Sequence, residues 1–100
     1  MTEAVLIRMA NAILLNVSAY GSSMIGADFS GADMKGAMLH GTDLNGANLS
    51  SADLREASLF ETVLIAANLT NADLRNIKQG GVEMTRAKLD STKFDNEVKS

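Results

Sequence analysis

The chain has 100 residues, no cysteine and a formal net charge of −3. This length predicts one domain, and the absence of cysteine excludes a disulfide framework and a thiolate metal site. The mild acidity, with no block of basic residues, excludes the charge pattern typical of nucleic-acid binders, so we expect no direct nucleic-acid binding.

The amino-terminal stretch, residues 1–26, is compatible with two structures. As a helix, it would be capped by Thr2, and its apolar residues would fall near one face: Val5, Leu6, Met9, Ile13 and Val17. Alternatively, it contains imperfect copies of the five-residue unit that follows, with centres at Met9, Leu14, Ala19 and Met24. We predict repeats from about Ala12 and a possible cap over residues 1–11, in which residues 2–10 form either a short helix or a first half-coil.

The same stretch carries no signal for a membrane or for export. Residues 9–27 are uncharged, but asparagine, serine and glycine interrupt them, so we expect no membrane span. The amino end has Glu3 in place of a basic run, and no small-residue cleavage site follows a long apolar core. We therefore expect a cytoplasmic protein.

From Ala27 to Leu74, a five-residue unit repeats almost without interruption. Each unit has a large apolar centre, and a small residue stands two positions before it. A period of five fits neither an α-helix nor one continuous strand, because the centres would rotate around the helix or alternate between strand faces. It fits a chain that bends once per unit. The fifth residue then lies at the corner, and the small residue and the large centre both point into a solenoid core. The centres are Phe29, Met34, Leu39, Leu44, Leu49, Leu54, Leu59, Leu64, Leu69 and Leu74.

After Leu74 the unit NIKQG reverses the sizes, with Ile77 at the small position and Gln79 at the large one. Burying the amide without partners would cost on the order of 1–3 kcal/mol. We therefore predict a local bulge in which Ile77 fills the core and Gln79 turns outward. The pattern resumes in phase at Met84, Leu89 and Phe94, so we predict repeats over residues 12–96 and a polar tail over residues 97–100.

The tandem A(D/N)LXX unit resembles the repeat of the pentapeptide-repeat proteins, and ten consecutive units follow it from ADFSG to ADLRN. The resemblance implies an all-β fold, a right-handed quadrilateral β-helix with four units to a coil. The period of five would by itself also permit a triangular coil. On this basis residues 1–100 form a single solenoid domain of about four coils, with a possible short N-terminal capping helix.

If twenty residues make one coil, the outward side chains can be assigned to faces. One face carries Asp33, Asp53 and Asp73 opposite Lys35, Arg55 and Arg75, and a second is polar and nearly neutral. The remaining two carry apolar side chains, and such an area marks a partner surface unless a terminal segment covers it. The candidate partner patch is Tyr20, Ile25, Met38, His40, Phe60, Val63 and Ile65.

No catalytic or metal-binding constellation stands out. His40 is the only histidine, and the aspartates recur with the repeat on outward positions, so we expect no enzyme, metal or cofactor. We predict an interaction module that binds an unidentified protein or itself, as a dimer. The alternative implied by the resemblance is a DNA mimic that binds DNA gyrase or topoisomerase IV. We favour the first because basic residues match the acidic ones, and because four coils span only about 20 Å.

Overall fold

The computed structural model describes residues 7–95, in which each five-residue unit forms one side of a coil. Parallel bridges join residues twenty apart, from Arg8 with Asp28 to Asp73 with Lys93. Four units therefore make one turn of a β-helix. Within this range there is no helix and no strand longer than one bridging residue, and no helix suited to cross a membrane. The predicted tail, residues 97–100, lies outside the described residues, so the coil number of the whole chain stays a prediction.

The β-helix has four faces, which we number from the units of the first described coil. Face 1 begins with residues 7–11, face 2 with 12–16, face 3 with 17–21 and face 4 with 22–26, and each continues every twenty residues.

Each unit bonds to the coils on both sides of it. The Asp28 amide donates to the carbonyl of Ile7 at 2.8 Å, and the Phe29 amide donates to the carbonyl of Asn48 at 2.8 Å. The same pair of bonds recurs around the central coils, so the backbone polar groups of a coil with neighbours on both sides find partners in those neighbours.

The corners share one backbone conformation. Every corner residue from Asn11 to Ser91 has a positive φ, between 57° and 76°. A bond across the corner, such as that from the Ala32 amide to the Phe29 carbonyl at 3.0 Å, closes each of these turns in the central coils. The predicted corner position is therefore confirmed. Glu56, Ala66 and Arg86 also adopt this conformation, which costs a residue with a Cβ roughly 1–2 kcal/mol.

The core lies inside the coils between Ala27 and Leu74, where every centre is at most 2% exposed. Alanine or threonine fills the small positions and leaves room for the large side chains of the neighbouring coils. Thr42 and Thr62 are buried without leaving a polar atom unpartnered: the Thr42 hydroxyl donates to the Ala19 carbonyl, and that of Thr62 donates to the Leu39 carbonyl at 2.6 Å.

The coil extends further toward the amino end than the predicted start at Ala12. Arg8 pairs with Asp28, and the Met9 amide donates to the Asp28 carbonyl at 2.6 Å. Ile7 packs against the buried core. Residues 7–11 of the possible cap therefore continue the coil as a first side. Residues 1–6 of the possible cap lie outside the described residues.

The irregular unit 77–81 keeps the register of the repeat. Ile77 is partly buried against the core and Gln79 is exposed, as predicted. Lys78 still pairs with Ser58, and Glu83 in the next unit pairs with Val63. Because the bridges are unbroken on both sides, the reversed sizes are accommodated by side-chain placement, without the predicted bulge in the pairing.

Candidate functional site

Three aromatic side chains stack along face 3, one from each of three successive coils. The ring centroids of Tyr20 and His40 are 5.0 Å apart with the planes tilted by 44°, and those of His40 and Phe60 are 5.3 Å apart at 81°. Both separations lie within the range of favourable aromatic contacts. Tyr20 is 58% and Phe60 40% exposed. We call these three residues the aromatic column.

Hydrogen bonds hold two of the three rings of the column in place, those of Tyr20 and His40. His40 Nε2 lies 2.5 Å from the hydroxyl oxygen of Ser58, and the His40 tautomer decides which of the two donates. The Tyr20 hydroxyl donates to the Met38 sulfur at 3.1 Å. Both pairs are eighteen residues apart, the diagonal of a twenty-residue coil. Ser58 is not among the residues predicted from the sequence, although this spacing of eighteen residues could have identified it.

A hollow of about 460 Å³ lies beside the column, at the border of faces 2 and 3. Its wall combines the column with polar groups, including one acidic and one basic side chain, Glu56 and Lys78. An exposed hollow of this composition can accept a side chain of another protein between apolar and charged walls. Its lining residues are Asn16, Tyr20, Gly36, Met38, His40, Glu56, Ser58 and Lys78.

The other residues of the predicted patch lie on face 4, where Val63 and Ile65 belong to one unit and Ile25 to another. Ile25 is 57% exposed, whereas Val63 and Ile65 are half-buried. Ile25 and Ile65 lie two coils apart on this face, with Asn45 at the same position of the coil between them. Tyr20, Met38, His40 and Phe60 thus form a cluster on face 3, and the remaining patch residues lie on the neighbouring face 4.

The Ser58–His40 pair resembles the nucleophile and base of a hydrolase only in its residue types. Such a pair also needs donors that stabilise an oxyanion. Here the Ser58 amide donates to the Ala37 carbonyl at 2.8 Å, and the Leu59 amide donates to the Lys78 carbonyl at 2.7 Å. Because these amides already donate to carbonyls of the neighbouring coils, they offer no donors to an oxyanion. The effect of the Ser58–His40 contact that the structure supports is to orient the His40 ring. Within residues 7–95 no group of three acidic or histidine side chains could hold a metal ion.

Face 2 carries carboxylates that are bonded to arginines of the same unit. Arg55 donates to both carboxylate oxygens of Asp53 at 2.9 and 2.7 Å, and Arg75 does the same to Asp73 at 2.9 and 2.6 Å. These hydrogen bonds lower the pKa of Asp53 and of Asp73. Arg55 also lies 3.9 Å from Asp73 in the next coil. The charges of Asp53 and Asp73 are thus neutralised mainly by the arginine of the same unit.

Face 1 satisfies its own polar groups. The side-chain oxygens of Asp28, Asn48 and Asn68 each accept the amide two residues later at 3.0 Å. The bonds from the Ser30 amide and hydroxyl lower the pKa of Asp28. These local bonds shape the outer surface of the coil and leave no arrangement that points to a ligand.

Comparison with known proteins agrees with this architecture. A family model of pentapeptide repeats matches residues 12–50 and 38–76 with eight copies, and curated protein sequences give no match. The chain is similar to the crystal structure of the pentapeptide repeat protein Rfr23 from the cyanobacterium Cyanothece 51142. The identity is 30% over 96% of this chain and 64% of that one, with a TM-score of 0.85. This chain thus spans less than two thirds of the length of Rfr23.

Two further solved structures show weaker similarity. The pentapeptide repeat protein alr5209 from Nostoc PCC 7120 is 30% identical over 77% of this chain and 79% of that one, with a TM-score of 0.46. QnrB1, a plasmid-mediated fluoroquinolone resistance protein, is 16% identical over 92% of this chain and 58% of that one, with a TM-score of 0.40. Of the three, only Rfr23 has a TM-score high enough to compare the folds.

Proposed function

The chain belongs to the pentapeptide-repeat family, and we propose that it is a non-enzymatic module that binds a partner protein through face 3. The observation that carries this proposal is the aromatic column, in which Tyr20 and Phe60 remain 58% and 40% exposed although three rings stack on one another. The corresponding positions of face 1 carry Ser30, Ser50 and Thr70. The repeat itself therefore does not require a large apolar side chain in this outward position.

The column has the properties of a protein contact. Aromatic side chains and methionine are enriched in interfaces because they bury much area with few rotatable bonds. The contacts with Ser58 and Met38 fix the His40 and Tyr20 side chains before any partner arrives, which lowers the entropy lost on binding. The adjacent hollow adds Glu56 and Lys78 as charged groups that select the orientation of the partner.

Face 4 supplies a smaller second contact. Ile25 is exposed, and Val63 lies at the border with face 3, three residues after Phe60 in the chain. A partner that covers the aromatic column and extends across this border would also bury these side chains. We assign the column the larger share of the binding energy, because central aromatic anchors dominate interfaces.

Affinity capture with matched variants tests the proposal. Phe60→Ser removes the end of the column, and Arg75→Ser removes an equally outward side chain from face 2. We expect a protein captured by the wild type and by Arg75→Ser but lost with Phe60→Ser. Capture that survives Phe60→Ser and Tyr20→Ser would contradict a contact through the column. Circular dichroism of each variant establishes whether the fold is intact.

The DNA-mimic alternative has weaker support from the surface. A mimic must present uncompensated negative charge, whereas Asp53 and Asp73 are bonded to Arg55 and Arg75. DNA supercoiling by purified gyrase provides the test. We expect the same rate with and without this protein, and inhibition that increases with its concentration would establish the mimic.

A further inference from the structure

The first described coil, residues 7–26, has a different outer surface from the coils that follow. It exposes Ile13 by 77%, Leu15 by 51% and Met9 by 40%, in addition to Tyr20 and Ile25. Arg8 is the only charged residue in this coil. The positions of Ile13 and Leu15 are taken by Asp33 and Lys35 one coil later. An exposed rim of large apolar side chains with so few charges is typical of a surface that is covered.

The core is incompletely filled at the same end. Ala19 occupies the centre position on face 3, where the next two coils have Leu39 and Leu59. An apolar cavity of about 70 Å³ remains there, and Met9 and Leu14 are among the residues that line it. The end of the rod is therefore apolar both at its rim and in its middle.

Among residues 7–95, the backbone edge of this coil has amide donors for which no other coil supplies an acceptor. In the next coil the amides of Asp28, Asp33 and Met38 donate to the carbonyls of the first coil. The equivalent amides of the first coil, those of Arg8, Ile13 and Ser18, have no backbone partner within residues 7–95. Such an edge can pair with the edge of another chain.

We propose that this end of the β-helix binds the same end of a second copy of the chain, which forms a two-fold symmetric dimer. The second copy is favoured by charge. An apolar end with Arg8 as its only charged residue is best covered by a surface that also loses little hydration, and the first coil of another copy is such a surface. The opposite described end is a poor match because residues 77–95 carry seven charged side chains, Lys78, Glu83, Arg86, Lys88, Asp90, Lys93 and Asp95.

The available area is sufficient for a specific contact. The two smaller dimensions of the molecule are 26 and 23 Å. A contact over this cross-section would bury about 600 Å² on each copy and about 1,200 Å² in total, the lower limit of stable interfaces. Because the contact is isologous, it closes at two copies and does not lead to a filament.

Sedimentation of matched variants at several concentrations tests the dimer. Leu15→Glu places a charge on the rim, and Thr85→Glu places one at the same position of a unit in the last described complete coil. We expect wild type and Thr85→Glu to sediment at twice the chain mass of 10.6 kDa, and Leu15→Glu at the single mass. Ile13→Lys is a second rim variant with the opposite charge, and it should also give the single mass.

Three results would overturn the proposal. They are a monomeric wild type at the highest soluble concentration, a dimer that survives both rim variants, and a dimer that Thr85→Glu dissociates. A dimer lost with Phe60→Ser but retained in Leu15→Glu would instead assign self-association to the aromatic column. Far-ultraviolet circular dichroism of each variant separates dissociation from unfolding, and a dimer also shows a melting temperature that rises with protein concentration.

Discussion

The central coils and the end coils use the same repeat but differ in how well they bury it. Leu69 and Leu89 are both centres of face 1, one coil apart, and both follow the same corner conformation. Leu69 is 0% exposed, whereas Leu89 is 42% exposed. At the other end Met9, also a centre of face 1, is 40% exposed and Phe29 in the next coil is 2% exposed.

The difference shows that a unit specifies its turn locally but obtains its burial from its neighbours. The corner conformation is the same throughout the described residues, and the centre lies on the inward side of every unit except that of Gln79. Burial becomes complete only where a well-filled coil lies on each side. This is the nearest-neighbour behaviour expected of a solenoid, and it leaves the two ends as the places where a further contact would stabilise the protein most.

The largest expected effect is on the core, and it should differ between the two regions. Leu49→Ala removes a fully buried side chain and should lower the free energy of unfolding by about 2–5 kcal/mol. Leu89→Ala removes a side chain that is 42% exposed and should cost about 1 kcal/mol. Urea denaturation followed by circular dichroism measures both. Equal losses at the two positions would contradict the view that the end coil is only partly packed.

The fold was largely predictable because the repeat encodes local geometry. A period of five with small and large residues two apart requires a bend once per unit, and the corners show it as a positive φ at every unit from Asn11 to Ser91. The number of sides did not follow from the period. It came from the resemblance to a known family, and the bridges between residues twenty apart show it directly.

The surface was predictable only where it follows the register. The stacking of Tyr20, His40 and Phe60 follows from residues twenty apart lying side by side, and the structure places the rings in contact. The bond between His40 and Ser58 connects residues eighteen apart, which lie diagonally across neighbouring coils. A comparison limited to residues twenty apart does not reveal such a pair. The exposure of Ile13 and Leu15 was also not predicted, because their unit was interpreted only as an imperfect copy of the repeat.

Turn substitutions sharpen the comparison, since the corners should be equivalent in the two regions. Gly46 in the central coils has φ +70° and Gly21 in the first coil has φ +62°, and a Cβ at either would have no neighbour within 4 Å. Gly46→Ala and Gly21→Ala should therefore each cost about 1 kcal/mol, from backbone conformation alone. The same denaturation experiment measures them. If Gly46→Ala lowered the free energy of unfolding several times more than Gly21→Ala, the turns would also depend on how many coils lie on each side.

Buried threonines provide a smaller test of the same difference. Thr62 is fully buried and Thr92 is half-buried, yet each hydroxyl donates to a carbonyl 23 residues earlier at 2.6 Å. Thr62→Val keeps the shape and removes this bond, so it should cost about 0.5–1.5 kcal/mol. Thr92→Val should cost less because water can replace the lost bond near the end. Val82 occupies the same position as Thr62 one coil later, which shows that the fold accepts valine there. A greater loss for Thr92→Val would reverse the expected order.

The smallest expected effect comes from the charge pairs outside the core. Bonding to arginine lowers the pKa of Asp53 and of Asp73 in the folded state, so their contribution to stability is present above the ordinary aspartate pKa of about 3.9. It is lost as the pH falls below that value, through the lower pKa of the folded state. The effect should be a small fraction of that of Leu49→Ala, because water screens these partly exposed groups.

The denaturation midpoint, measured against pH in the wild type, two single variants and the double variant, isolates the contribution of the Asp53–Arg55 pair to stability. Asp53→Asn and Arg55→Gln should each make the loss of stability below the ordinary aspartate pKa shallower. The double variant should change it little more than Asp53→Asn alone, because the two side chains act mainly through one interaction and Arg55 reaches Asp73 only at 3.9 Å. Additive changes would show that Asp53 and Arg55 act independently. The outer charges would then contribute separately to the central coils, and burial would no longer be the sole source of the difference between the two regions.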